Sequence, residues 1–540
     1  MPNDTLPNPD ADPAAGSPVD NGSGVGPDGE PAPVPADPSD ADAQDAQDEE
    51  AARRRLTGRL VRGTLWSMLG IAALGVTRLV YTALIGRTGD PARLAAVNSQ
   101  VSLAFLATFA TAAATGAGAA KFLPLTAARS GPAAAAAVRR RLTRWTVAAT
   151  VAVVVALTGF GQVFLPDADR ADVAWVCALV TAYGAYSYTK SVLYGHHLPH
   201  RYAVLEVAAD LVILVLTVAV VWWVPDRLPG QAPGLLLAPL VVGYAAFAVA
   251  AARSVPRVRP GELPALRGEL GGFVAYTAVG IAAGQGFFQV SMIVARHATS
   301  DAAAGAYAAA MSLVGPAFFL PRAMGMAFFP AAAEAVGRGD QAALARHTDL
   351  VTRLLLLTTL PAFGLAAMLG GPVLGLVFGP AYADGGPAFA VLVLAVFWYV
   401  VAVPSVNVLS AQNLTLARIP PLASAGGVVV GVATWLAVGT HWGAVGVAAG
   451  YLAGMSVQAG VPLVVAFTRL RLRWGTRLPR YAAGLAAGVG SSTVAVITPR
   501  PGVIAVCAAG FLLAFGLLNA GELAGTVRRV QELRSATARR

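Results

Sequence analysis

Residues 62–121 read RGTLWSMLGIAALGVTRLVYTALIGRTGDPARLAAVNSQVSLAFLATFATAAATGAGAAK. Two apolar runs flank the short turn Gly86-Arg87-Thr88-Gly89-Asp90, and basic residues border the far ends, Arg62 on one side and Lys121, Arg129 and Arg139 to Arg141 on the other. About 20 apolar residues in a helix cross a hydrocarbon core of about 30 Å. Only a helix or a closed barrel pairs every backbone N–H and C=O without water. The stretch therefore reads as a helical hairpin that enters a membrane from a basic side and returns to it.

The same pattern repeats along the chain. Spans are expected near 62–86, 94–119, 144–165, 173–195, 202–224, 234–252, 271–295, 304–331, 350–369, 387–410, 419–438, 443–467, 481–498 and 501–521. Of the 39 Lys and Arg, 31 fall in one alternate set of gaps and the two ends. The other set holds 6 (Arg87, Arg93, Arg170, Arg227, Arg296 and Arg500), and, with each gap counted together with the flanking turns of its helices, only Arg78 and Arg322 lie inside spans. By the positive-inside rule the basic set faces the cytoplasm, so both termini are expected there. Composition agrees: 56% hydrophobic and 13% charged residues contrast with about 25% charged in soluble domains.

Shifting the chain by 210 residues lays Gly70-Ile71-Ala72-Ala73 on Gly280-Ile281-Ala282-Ala283. An even number of spans per half starts both halves from the same side, which makes the repeats parallel. The expected fold class is an all-α polytopic membrane protein of about 14 transmembrane helices, with two parallel six-helix bundles around a central cavity plus two C-terminal helices. The expected organisation is an acidic tail (1–52), a first six-helix half (53–252), a basic linker (253–270), a second half (271–468), two additional helices (469–521) and a basic tail (522–540). Residues 1–50 hold ten Pro and thirteen Asp or Glu with no Lys or Arg. Such a segment buries too little apolar surface to offset its ordering entropy, so disorder is expected, and it lacks the basic start and apolar run of a signal peptide. The net charge of +10 reads as membrane topology rather than as nucleic-acid binding.

Several chemistries have no support. Neither lysine, Lys121 or Lys190, sits in a phosphate-binding GxxxxGK[ST] loop, and there is no HExxH, no GxSxG and no Cys/His cluster. No enzymatic activity, cofactor or metal is expected, and Cys177 and Cys507 read as small apolar residues. Asp167, Asp169 and Asp172 read as solvated caps on a short turn. What remains is polar chemistry in the spans, where an ionised group costs at least about 2.5 kcal/mol at the helix centre. Arg78 and Arg322, one per half, are candidate ligands for phosphate, because the guanidinium fork matches phosphate oxygens, with bonding to carbonyls freed at nearby Pro or Gly kinks, or snorkelling to a headgroup, as the alternative. Lys121, at the end of span two, is a candidate to continue a basic path at the cytoplasmic mouth, with membrane topology alone as the alternative. Gln285 and Gln289, four apart on one face, and Asn407 in span ten are candidate partners of sugar hydroxyls, with interhelical bonding as the alternative. Glu206 and Asp210, also four apart, are candidates for proton or cation coupling, against a plain pairing with Arg201 or Lys190. Pro316, Pro321, Pro330, Pro361, Pro404 and Pro462 each remove a backbone donor and permit a kink.

Gly63-Thr64-Leu65-Trp66-Ser67, the run Thr77-Arg78-Leu79-Val80-Tyr81-Thr82-Ala83-Leu84-Ile85-Gly86-Arg87, and Gly305-Ala306-Tyr307-Ala308-Ala309-Ala310 resemble the oligosaccharide flippases of bacterial polysaccharide biosynthesis. So do Pro330 with Gly337-Arg338-Gly339-Asp340, Phe378-Gly379-Pro380-Ala381-Tyr382, and Gly443-Ala444-Val445-Gly446. That family lies within the multidrug/oligosaccharidyl-lipid/polysaccharide exporter superfamily, and the resemblance spans roughly residues 58–520. It implies two six-helix bundles around a cavity and transfer of an undecaprenyl-pyrophosphate-linked glycan between leaflets of a bacterial plasma membrane. The implied partners are that lipid-linked glycan, membrane lipids, and glycosyltransferases or a polymerase of a polysaccharide pathway, with no nucleic acid. Arg78 matches the position of an arginine late in the first helix of lipid II flippases, but spans two, three and seven lack their central basic residues. Three alternatives stand beside this reading: a lipid II flippase, a cation-coupled multidrug or metabolite antiporter, and a membrane enzyme acting on lipid-linked sugars.

Overall fold

The opening hairpin forms as α1 (Trp66–Thr88) and α2 (Pro91–Ala110), whose start is set by Pro91 at the first turn and by Asp90, which accepts a bond from the Arg93 backbone N–H at 2.8 Å. The computed structural model describes residues 66–525, apart from 89, 166–167, 228–232, 263–266, 319–327, 329–331, 333–334, 337, 413, 440, 473 and 476. Arg322, Pro321, Pro330, Asn413, the expected acidic tail and all of the basic tail beyond residue 525 lie outside the described residues.

The first half continues with α3 (Ala112–Phe164), α4 (Arg170–Gly195), α5 (Pro199–Arg227) and α6 (Ala238–Ser254). The second half begins with α7 (Arg267–Ile281, continuing through a π-helical segment Ala282–Gly286 into Phe287–Ala298) and α8 (Asp301–Val314, extended by a 3-10 turn Gly315–Phe318). It goes on through α9 (Gln341–Phe378), α10 (Gly386–Ala411), α11 (Ile419–Thr434) and α12 (Gly443–Arg469), and α13 (Leu478–Ile497) and α14 (Pro501–Leu518) follow. No strand occurs among the described residues. Ten helical stretches are long and apolar enough to cross a membrane, the 53-residue Ala112–Phe164 among them. The expected spans two, four, eight and thirteen are not among these ten on their own. α2 and α4 are richer in Asn, Ser, Thr, Gln and Tyr and bury those residues against neighbouring helices, and α8 is short.

Two segments read from sequence as loops are helical. The charged stretch 120–143 continues as helix and bends only at Gly131, whose φ of 82° a side chain would resist. Its Ala133 to Ala137 run and its arginines are good helix formers, so propensity extends the helices past the apolar core. The stretch 370–386 stays helical to Phe378 through Pro372, then turns at Gly379 (φ 118°) into a 3-10 segment, Pro380–Gly385. The reading of Asp172 as a solvated cap also fails. It is 3% exposed and accepts from the Gly234 backbone N–H at 2.7 Å, tying α4 to the start of α6, while Asp169 caps α4.

Within the first half, α4 packs on α3 and α6, and α5 on α6; within the second, α10 packs on α9 and α12, and α11 on α12. The halves meet where α2 lies against α7 and α8. The core of the second half is keyed by Phe287, 1% exposed. A Cβ at Gly431 would lie 2.2 Å from its ring and one at Gly454 2.5 Å, so the two glycines form the slot between α11 and α12 that admits it. Trp435 and Tyr451 flank the ring at 5.0 and 5.2 Å. The α13 and α14 pair is fastened to the second half at one end. There Trp474 donates to Asp349 at the start of α9 at 2.7 Å, while Tyr481 and Arg477 bind Glu522, at 2.7 and 2.9 Å, and hold α13 to the end of α14.

Candidate functional site

A cavity of about 570 Å³ lies between the halves, walled by α1, α2 and Tyr183 of α4 on one side and by α7, α8, α10, α11 and α12 on the other. It reaches Tyr276, Ser410 and Pro420 at the charge-rich helix ends, but stops at Thr82 on α1 and Asn98 on α2 before the charge-poor ends. The charge-poor side is sealed by backbone contact. A Cβ on Gly305 of α8 would lie 2.3 Å from the Pro91 carbonyl oxygen, and one on Gly86 would lie 3.0 Å from the Phe378 ring. Arg87 adds a clamp, donating through Nε to the Val377 carbonyl at 2.7 Å and through a terminal nitrogen to Leu376. A cation set on the last-turn carbonyls of α9 also complements the helix dipole. Arg87 counted in the sequence only as one of six charges on the sparse side, and nothing local to it announced the clamp.

Arg78 lines the cavity and is its only ionised side chain among the described lining residues. Its guanidinium carbon stands 4.0 Å from the centroid of the Phe105 ring, a cation–π contact that offsets part of the cost of removing the charge from water. No hydrogen bond runs from the guanidinium to a described residue, so its planar set of N–H donors faces the cavity unspent. Gln285 and Gln289 also line it. The structure thus brings three of the sequence candidates to one space. Lys121 is not on the described lining; it lies over the Phe273 ring at 4.2 Å, where α3 meets α7. Asn407 lies beside the lining residue Val406 but is not part of the wall, and its amide nitrogen has no partner among the described residues. The lining adds Asn98 and Gln458, amides within apolar spans that carried the same signal as Gln285 and Gln289.

Glu206 and Asp210 form a separate site inside the first half, 1% and 4% exposed. Tyr186 donates to Glu206 Oε1 at 2.7 Å, Lys190 donates to the Tyr186 hydroxyl at 3.1 Å, and Thr77 bonds Asp210. Arg201 takes no part and donates to the Ser254 carbonyl at 2.7 Å instead. One oxygen of each carboxylate, Glu206 Oε2 and Asp210 Oδ2, has no partner among the described residues. Lys190 interacts electrostatically with both carboxylates, as the sequence alternative had it, and Arg78 with Asp210; two buried like charges one helical turn apart therefore already share a cation, and a proton is the further charge they invite. Stacked rings connect this site to the cavity. Phe105, beneath Arg78, stacks on Tyr183 at 4.0 Å, and Tyr183 meets Tyr186 at 5.5 Å and Tyr244 at 5.0 Å.

No protein-family model and no curated protein sequence matches the chain. Solved structures do. The lipid II flippase MurJ in an inward closed conformation superposes with a TM-score of 0.63 at 11% identity, covering 86% of this chain and 99% of that one. An inward-facing multidrug-resistance MATE transporter of the MOP superfamily gives 0.59 at 16% identity, covering 74% and 98%. A MOP-superfamily transporter from Pyrococcus furiosus, described by the reverse polarity of its binding pocket, gives 0.56 at 16% identity, covering 76% and 95%. The chain is therefore an all-α polytopic membrane protein with the fold of the MOP-superfamily transporters.

Proposed function

We propose that the protein is a flippase that moves an undecaprenyl-pyrophosphate-linked oligosaccharide across the plasma membrane by alternating access, with both termini in the cytoplasm. The single observation that carries this reading is Arg78, a permanent cation with unspent donors on the wall of a cavity whose described lining holds no carboxylate. A guanidinium so placed attracts a phosphate-bearing headgroup and repels an organic cation. In this reading the pyrophosphate engages Arg78 while the glycan occupies the amide-lined space of Gln285 and Gln289. Arg322 serves in this reading as a second phosphate ligand, Lys121 adds positive charge outside the cavity at the contact of α3 with α7, and Asn407 supports the wall.

The second reading, a cation-coupled antiporter of the same superfamily, is favoured by the buried pair Glu206 and Asp210 with their unbonded oxygens. The same pair serves as the coupling site of a flippase, so it is the cargo that separates the two readings. The test is reconstitution into vesicles with a fluorescent lipid-linked oligosaccharide, followed by quenching from outside. Wild-type protein should expose the label to quencher. Arg78→Ala should lower the rate by about tenfold or more, a factor equivalent to about 1.4 kcal/mol, and Arg78→Lys should restore part of it because an ammonium lacks the fork. Ion-driven efflux of a cationic dye without lipid transfer would overturn the flippase reading in favour of the antiporter.

A further inference from the structure

The cavity wall of the second half is a continuous aromatic surface. Tyr399 on α10 meets Phe318, which ends the turn after α8, with ring centroids 5.6 Å apart. Phe318 meets Phe288 on α7 at 5.1 Å, and Phe288 meets Tyr451 on α12 at 5.3 Å. All four line the cavity, and Tyr399 is 37% exposed. Two turns along α12 from Tyr451, on the same face, stands Gln458. It also lines the cavity, is only 8% exposed, and its amide nitrogen has no partner among the described residues. A buried donor without an acceptor is costly to keep, and a turn of the side chain would bring this one to the cavity that the residue lines.

These features narrow the ligand. An isoprenoid chain would suit the rings but would leave the amide donors of Gln458, Gln285 and Gln289 unpaired. An organic cation would suit the rings but meets Arg78 and no carboxylate. A pyranose presents both surfaces at once, a face of C–H groups for a ring and a rim of hydroxyl or acetamido oxygens for an amide N–H.

We propose that this wall is a saccharide platform, on which a sugar of the cargo stacks against the Tyr399, Phe318 and Phe288 surface while Gln458 donates to one of its oxygens. The assignment rests on the flippase reading and adds to it the part of the cargo that the second half holds. The first half holds the pyrophosphate at Arg78 and the second half reads the sugar. A substrate is complete only when both halves touch it.

Binding to the full-length protein in nanodiscs of phosphatidylethanolamine and phosphatidylglycerol tests this with two probes, farnesyl pyrophosphate and farnesyl pyrophosphate bearing one N-acetylglucosamine. Wild-type protein should prefer the sugar-bearing probe by about tenfold, the combined scale of one neutral hydrogen bond and one ring contact. Tyr399→Ala and Gln458→Met should each reduce the preference to about threefold or less while binding farnesyl pyrophosphate as wild type does. Tyr399→Phe should keep the preference, since the ring remains, and Arg78→Ala should weaken both probes alike. Equal affinity of wild-type protein for the two probes, or Tyr399→Ala weakening both equally, overturns the platform and leaves the flippase reading standing. Failure of wild-type protein to bind either probe overturns the flippase reading and the platform with it.

Discussion

Gly305→Ala tests whether the charge-poor closure is a feature of one state. The added methyl would sit 2.3 Å from the Pro91 carbonyl oxygen and 2.6 Å from its carbonyl carbon, where ordinary contact begins at 3.4 Å. Both atoms belong to backbone, so no side chain can swing aside and α2 and α8 must part by about 1 Å, an overpacking that costs about 1–3 kcal/mol. Against this stands the gain of about 1 kcal/mol from replacing glycine by alanine in a helix. That gain applies equally to every conformation, so it cancels from the balance between a state closed here and one open here. The closed state alone bears the clash, and a penalty of 1–3 kcal/mol shifts its population by about 5- to 150-fold. Spin labels at the exposed positions 93 on α2 and 302 on α8 should report a longer distance in the variant than in the parent, measured by pulsed electron resonance in nanodiscs. Gly510→Ala supplies the control, because nothing lies within 4 Å of its Cβ position, and it should leave the distance unchanged. A Gly305→Ala distance distribution that superposes on the parent's, in protein that melts as the parent does, would refute the reasoning.

Two further outcomes follow from the packing and the charges. Phe287→Ala empties the slot cut by Gly431 and Gly454 and should cost about 3–5 kcal/mol, read as a lowered melting temperature in detergent; an unchanged melt would show that the slot is not part of the core. His196, at the end of α4, is held below its ordinary pKa of 6.5, first by burial and then by the Arg139 and His197 charges. The unfolded chain therefore binds a proton that the folded chain resists, so stability is complete above about pH 6.5 and falls as the pH drops below it. Melting curves from pH 7.5 to 5 should show this loss, and His196→Gln should make the acid side of the profile flatter; an identical profile in the variant would assign the loss elsewhere.

The membrane class was legible in residues 62–121 alone, because the length of an apolar run and the charge at its ends answer to the bilayer and not to any neighbour. Arg78, Gln285 and Gln289 stood out for the same reason, since a polar group in an apolar span needs an explanation wherever it faces. The long helical extension over residues 120–143 was missed because apolarity marks where a helix meets lipid and not where it ends. Asp172 was misread because its partner, the Gly234 backbone, lies 62 positions away in the chain.

Tertiary structure alone decided which of these residues share a space. Arg78 and Gln289 lie 211 positions apart in the sequence, and no local pattern couples them; the packing of α2 against α7 and α8 does. Other contacts between helices set Lys121 over Phe273 rather than in the cavity, placed Glu206 and Asp210 beside Tyr186 inside the first half, and turned Arg87 into a clamp on α9. Hydrophobic pattern and charge bias are properties of single segments, so sequence determined a polytopic helical protein with buried polar candidates. A cavity is a property of the gap between segments, and only the assembled helices decided its walls, its closed end and the charge it holds.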